Sequence, residues 1–388
     1  MQPQANPLLG VFLWSAWCPD VQHIELAYTL LKASTPERRI RNALMDLLQA
    51  VRSHGSISGA ARVLGLSYRH VWGELKRWEQ ALGQELIVWD KGQAARLSAF
   101  GDRLLWAERQ AQARLTPQIE ALHADLERAL AQAFEPAIHV LKLHASHDDA
   151  LALLRQTAAL GGDLPTCAGP ALHLDIEFTG SVDAIRDLNR GRCAMAGFHT
   201  LLLPAVGSMA QRAYKPLLKP GQHKLIGFAR RWQGLMVAPG NPLRIQTLAD
   251  IRPHRLVNRP LGSGTRLVLD ELLAQARLLP GQIQGYAHTE NSHNAVAHTV
   301  ASGQADVGVG IASAAKAHGL EFVPLVQEQY HLVCLKAALD DPATRRLREV
   351  LGSTHWQTVL NGLAGYAASD SGSVQSLRKV LPWWTFKT

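Results

Sequence analysis

Ser56-Ile57-Ser58-Gly59-Ala60-Ala61-Arg62-Val63-Leu64-Gly65-Leu66-Ser67-Tyr68-Arg69-His70-Val71-Trp72-Gly73 is the stretch on which the reading of this chain turns. Ser56 is a capping residue ahead of a short helix, Gly65 terminates that helix, and Ser67 caps the next. The second helix runs from Tyr68 to about Leu82. Val71, Leu75, Trp78 and Leu82 recur at helical spacing on one face, and Arg69, Gly73, Lys76 and Gln80 lie opposite, with Trp72 at the edge. Ala60 and Ala61 allow two helices to approach closely, as a helix-turn-helix requires. Downstream, Leu86-Ile87-Val88-Trp89, a turn at Asp90-Lys91-Gly92, and Ala95-Arg96-Leu97 read as a hairpin wing. Such a helix fits the major groove of B-DNA, where Arg and Lys meet phosphates or guanine edges. From pattern alone, a helical hairpin with a solvated charged face fits equally well.

Gly55-Ser56-Ile57-Ser58-Gly59-Ala60-Ala61, Gly65-Leu66-Ser67-Tyr68-Arg69 and Trp72 resemble the winged helix-turn-helix of molybdate-responsive ModE-type regulators, which are related to LysR-type regulators. Leu97-Ser98-Ala99-Phe100-Gly101 is similar to the Leu-Thr-x-x-Gly that ends the wing in that group, with Ser98 in place of Thr. The resemblance covers about residues 40–105. It implies a dimer whose second helix reads DNA and whose following long helix pairs two subunits. The candidate DNA contacts are Ser56, Ser67, Tyr68, Arg69, Trp72, Gly73, Lys76, Arg77 and Lys91. The expected organisation is an N-terminal extension at 1–35, the winged head at 36–98, a linker and dimerisation helix at 99–135, and an effector domain at 136–388. In the linker, Leu115, Ile119, Leu122 and Leu126 fall on one seam. Thr116-Pro117 within it leaves open whether one helix or two run there.

Of 388 residues, 40 are Lys or Arg and 32 Asp or Glu, a net charge of +8. Residues 36–77 hold eight basic and three acidic side chains, yet residues 1–135 as a whole hold 15 and 14. Most of the surplus therefore belongs to the C-terminal part, which suits an anionic ligand as much as DNA. Hydrophobic residues at 47% supply several cores, and no run of about 18 apolar residues suggests a membrane span. Cys18, Cys167, Cys193 and Cys334 have no CxxC spacing, which argues against a zinc site or a disulfide framework. The N-terminus lacks a basic leading segment, so a cytoplasmic protein with no membrane partner is expected.

From Ile138 onward, apolar runs lead into polar turns and then helical patterns, the signature of an α/β domain. Helix N-termini after strands offer free N–H groups and a positive dipole end, which suits a small anion. Gly262-Ser263-Gly264-Thr265-Arg266 is the sharpest such turn, flanked by Arg259, although a plain capped loop has the same form. It is no Walker A loop, since no Gly-Lys-Ser/Thr follows. His288, His293 and His298 recur every five residues and share no helix face, no HExxH occurs, and no G-x-S-x-G elbow supports a hydrolase. No metal site and no catalytic constellation are expected.

His144-Ala145-Ser146-His147-Asp148, Gly180-Ser181, Ala196-Gly197-Phe198-His199, Gln233 to Pro242, Asn258 to Arg266, Ser292 to Ala297 and Ala305 to Gly310 resemble the periplasmic-binding-protein-like domain of cytoplasmic regulators and of some molybdopterin-biosynthesis proteins. The resemblance implies two α/β lobes that close on a ligand. Lobe one is placed at about 136–235 and 318–388, lobe two at about 236–317. Ser146, His147, Ser181, His199, Arg259, Ser263, Gly264, Thr265, Arg266, Ser292, His293 and Tyr330 are the candidate effector contacts. The fold class expected is α/β with a helix-rich winged head. The function expected is a homodimeric or tetrameric transcriptional regulator that binds operator DNA and a small anion. Both resemblances point to molybdate, tungstate or a molybdenum-cofactor species, and to control of molybdoenzyme genes such as those for formate dehydrogenase. Formate or another small carboxylate would use the same donors. A non-regulatory protein of molybdopterin metabolism is the alternative class.

Overall fold

The computed structural model describes residues 42–88, 95–134, 139–160 and 170–384. The extension at 1–35, the wing tip with Lys91, Cys18 and Cys167 lie outside them. The chain divides into two compact units, one ending at Glu108 and one beginning at Arg109.

In the first unit, α1 (Ala43–His54), α2 (Ile57–Leu64) and α3 (Tyr68–Leu82) precede β1 (Ile87–Val88) and β2 (Arg96–Leu97), an antiparallel pair. Ser56 Oγ accepts from Gly59 N–H and Ser67 Oγ from His70 N–H, so both serines cap as expected. Gly65 ends α2 at φ 67°, a left-handed conformation that glycine adopts without a Cβ penalty. The core gathers Leu47, Leu48 and Val51 of α1, Ala60 and Ala61 of α2, and Val71 and Leu75 of α3, closed by Leu86 and Leu105. Glu79 Oε1 accepts from Leu86 and Ile87 N–H and ties the wing to α3. A long helix, α4 (Ala99–Phe134), follows and is continuous through Thr116-Pro117.

The Leu97-to-Gly101 motif has a steric origin. Ser98 Oγ donates to Glu85 O at 2.5 Å and accepts from Gly101 N–H at 2.9 Å, which pins the start of α4 to β1. A Cβ on Gly101 would sit 2.4 Å from Leu86 O.

The second unit runs β3 (His139–Ala145), α5 (Asp149–Ala159), β4 (Leu172–Phe178), α6 (Ser181–Asn189), β5 (Met195–Leu201), α7 (Met209–Tyr214), β6 (His223–Val237), β7 (Leu256–Val257), α8 (Gly264–Gln275), α9 (His293–Ala301), β8 (Val307–Ile311), α10 (Ala312–Ala317) and β9 (Glu321–Leu335). It closes with α11 (Pro342–Gly352), α12 (Thr354–Asn361), β10 (Tyr366–Ala368), β11 (Val374–Ser376) and α13 (Leu377–Val380). The sheet order is β4-β3-β5-β9-β6-β8-β7, with β10 and β11 pairing on β6. The long strands β6 and β9 are antiparallel partners. Their Lys224–Ala229 and Tyr330–Cys334 portions serve the side that carries β5, and β8 pairs with Gln233–Val237. The strands thus pass between two lobes. One lobe packs Phe198, Tyr214 and Trp383 together, and the other packs Leu235, Leu256, Leu269 and Val309.

Gly101→Ala is expected to cost about 1–3 kcal/mol by overpacking against the wing backbone. Denaturant unfolding of the full chain should show an earlier transition, and an unchanged midpoint would mean that β1 moves aside at no cost.

Candidate functional site

Each lobe delivers helix N-termini to one cleft because each helix follows a strand end. Ser146, His147 and Asp148 follow β3, Gly180 and Ser181 lead α6, Ser263 and Gly264 begin α8, and Ser292 caps α9. All twelve candidate effector residues are buried. Ser146 Oγ and Ser181 Oγ lie 3.3 Å apart. The lobes meet here, since a Cβ on Gly180 would lie 3.1 Å from Gly262 O. A Cβ on Gly264 would lie 2.8 Å from His199 Nδ1, so that glycine lets α8 close on the imidazole. Tyr330 packs its ring against His199 at 3.8 Å between centroids and donates its hydroxyl to Ser146 O at 3.5 Å.

Buried charge sets the electrostatics. Arg231, on β6, pairs with Asp148 through Nη1 and with Glu328 of β9 through Nε, and all three are essentially sealed from solvent. Tyr366 donates to Asp148 Oδ2 at 2.8 Å, while Asp148 Oδ1 caps α5 through Ala150 N–H. Arg259 is a second buried cation and, among the described residues, has no carboxylate within bonding distance. Its Nη2 donates to Asn291 O at 2.9 Å, and its Nε and Nη1 have no partner. Burial and the Arg231 charge pull its guanidinium down to about 10, so it stays protonated at neutral pH. Both nitrogens of His199, Nδ1 of His293 and the whole amide of Gln233 are likewise buried without partners. Unspent polar atoms of this kind are what a ligand with matching groups would satisfy.

Some expected contacts are otherwise engaged. Arg266 bonds Asp270 at 3.0 Å, lies over the Tyr286 ring at 4.0 Å and donates to Arg259 O, so it braces α8 and is not an open anion donor. Ser263 Oγ donates to Pro260 O and Ser292 Oγ to Ala113 O, which commits both hydroxyl protons. Reading the turns for hydroxyls overlooked Arg231, Gln233, Asp148 and Glu328. The local sequence gives no clear signal for them, since Arg230 adjoins Arg231, Gln327 and Gln329 flank Glu328, and Asp148 lies in the turn that caps α5.

On the first unit, Tyr68, Arg69, Gly73, Lys76 and Arg77 are exposed and Trp72 is half-buried. Lys76 bonds Glu79 at 2.6 Å and sits 4.9 Å from the Trp72 ring centroid, and Arg77 bonds Glu74 at 2.5 Å. A Cβ on Gly73 would meet nothing within 4 Å, so this face is open to a close backbone approach. Ser56 and Ser67 each accept one capping bond and keep a hydroxyl proton to donate.

The histidines give the unit a pH dependence. Burial, together with the Arg231 and Arg259 charges, pushes His199 and His293 well below 6.5, and burial alone pushes His331 to about 3. Such groups take up protons on unfolding, so their contribution is complete above pH 6.5 and is lost as pH falls from there toward the folded-state values. Each loses up to about 1.4 kcal/mol per pH unit in that window. Urea midpoints of the full chain should therefore drop between pH 7 and pH 5, and equal midpoints would contradict neutral burial of these rings.

Residues 43–102 match the bacterial regulatory helix-turn-helix protein family of lysR type, and residues 167–352 match the PBP superfamily domain. The chain is 34% identical over 200 residues to the uncharacterized protein YvgK of Bacillus subtilis (strain 168); the match takes in 51% of this chain and spans 64% of that protein's length. It is also 34% identical over 109 residues to an uncharacterized protein from the 5′ region of the ferredoxin 2Fe-2S gene of Clostridium pasteurianum, covering 28% of this chain and 96% of that one. Among solved structures, the probable transcriptional regulator PA0477 from Pseudomonas aeruginosa aligns with TM-score 0.41 at 17% identity, over 81% of this chain and 97% of that one. No helix among the described residues is long and apolar enough to cross a membrane. The chain belongs to one family with the clostridial protein, and it joins a lysR-type regulatory helix-turn-helix to a PBP superfamily domain.

Proposed function

We propose that this protein is a ligand-responsive, DNA-binding transcriptional regulator whose two-lobed domain takes a small anion. The observation that carries the anion is Arg259, a sealed guanidinium with two unspent nitrogens among neutral imidazoles. A compact anion there accepts hydrogen bonds from a charged donor out of water, where such bonds are strongest. The exposed α3 face, with Arg69 and Lys76, supports the DNA half of the reading. Leu115, Leu122 and Leu130 are exposed along α4, which supports pairing of two copies through this helix, and of dimers into tetramers.

The effector favoured by resemblance is molybdate or tungstate, or a molybdenum-cofactor species, with molybdoenzyme genes such as those of formate dehydrogenase as targets. Formate is the competing ligand, because a carboxylate oxygen would accept from either of the same nitrogens. A bound anion would act by favouring one degree of lobe closure over another.

Two measurements test this. Binding to DNA upstream of its own coding region should be specific at physiological salt, and Arg69→Ala or Lys76→Ala should weaken it by about 1–3 kcal/mol where the side chain reads a base. Unchanged affinity in both variants would remove α3 as the reading element. Calorimetry on the full chain with molybdate, tungstate and formate should give saturable heat with one of them, abolished by Arg259→Met. Equal binding in that variant would place the anion elsewhere.

A further inference from the structure

The segment Glu290-Asn291-Ser292, at the entrance to α9, is gripped from two sides. On the cleft side, Arg259 Nη2 donates to Asn291 O, and Glu290 N–H donates to Asn258 O at 2.9 Å. On the other side stands α4, whose residues from Arg109 onward belong to the same compact unit. Arg114 Nε lies 3.1 and 3.2 Å from the two Glu290 carboxylate oxygens, and its Nη2 lies 2.6 Å from Oε1. Ser292 Oγ donates to Ala113 O at 3.2 Å. Glu290 is only 4% exposed, whereas Arg114 is half-exposed, so the helix brings the charge that a buried carboxylate needs.

We propose that Glu290-Asn291-Ser292 is a coupling segment that makes anion occupancy at Arg259 and docking of α4 at Arg114 depend on each other. The inference rests on the cleft being the effector site. Arg259 spends one nitrogen on Asn291 and holds two in reserve. An anion that accepts from one of the reserved nitrogens turns the planar guanidinium, and Nη2 carries the Asn291 carbonyl with it. Asn291 has one neighbour bonded to Arg114 and the other bonded to Ala113, so the backbone between cleft and helix has no slack. By linkage the effect is reciprocal: a docked α4 holds Arg259 in one pose for the ligand, and a released α4 does not. Arg114 and Glu290 touch no ligand in this arrangement; they position Arg259.

Hydrogen-exchange mass spectrometry of the full chain without ligand tests the coupling directly. Arg259→Met should raise exchange in residues 109–116, and Arg114→Gln should raise it in residues 257–263 around Arg259, each by roughly threefold or more as local opening becomes easier. Arg114→Gln sits on the half-exposed side, so it remains informative if Arg259→Met folds poorly. Either distant segment unchanged by its substitution overturns the proposal. In a second arm, sodium molybdate is the probe and operator affinity the readout. The ratio of affinities with and without it should move toward one in Arg114→Gln, by roughly fivefold or more. Molybdate without effect on the unsubstituted protein, together with the exchange changes above, would refute the effector assignment and leave the coupling supported.

Discussion

Three buried charges are tied together where the paired strands β6 and β9 pass between the lobes: Arg231 sits between Asp148 and Glu328. The strands that carry Arg231 and Glu328 pass from one lobe into the other, and Asp148 caps α5, so one guanidinium fastens a helix start and both crossing strands. Burying such a group is expensive, and removing one partner of a buried pair typically costs about 3–5 kcal/mol because the remaining charge is stranded. The cleft inherits the consequences. Arg231 is matched by carboxylates and Arg259, among the described residues, is not, and the proposed anion site rests on that difference. Burial, reinforced by both cations, keeps the surrounding imidazoles neutral, so His199 and His293 can donate from one nitrogen and accept at the other.

Local structure was legible in the sequence where one residue decides one geometry. Ser56 and Ser67 cap, Gly65 turns left-handed, and Val71 and Leu75 face inward at helical spacing. The cleft was legible as a place, because polar turns after strands converge in an open α/β sheet. Its chemistry was less so. Ser263, Ser292 and Arg266 read as ligand donors because their types are right. They are instead absorbed by Pro260, Ala113 and Asp270, partners 3, 179 and 4 positions away. Short-range partners are foreseeable from spacing, whereas a bond across 179 residues is a property of the fold. Arg231 and Glu328, 97 positions apart, are invisible as a pair for the same reason.

The charge distribution reads differently once the fold is known. In residues 136–388 several arginines are buried, and the one on which the proposed ligand contact rests is Arg259. In the head the situation is reversed: Lys76 and Arg77 are each held by a carboxylate three residues away, so DNA phosphates would compete with Glu79 and Glu74 for them. Exposed pairs of this kind are worth little in water, and the exchange of partners costs correspondingly little.

The close approach of Gly180 to the Gly262 carbonyl means that the two lobes touch, and Arg259 is itself buried. On the proposed reading, a solute would reach Arg259 only when the lobes part. Association then proceeds at the opening frequency multiplied by the chance of capture, well under the encounter limit, and departure waits on the same motion. An occupied protein would therefore outlast brief dips in solute concentration, reporting the recent average and filtering out momentary fluctuations.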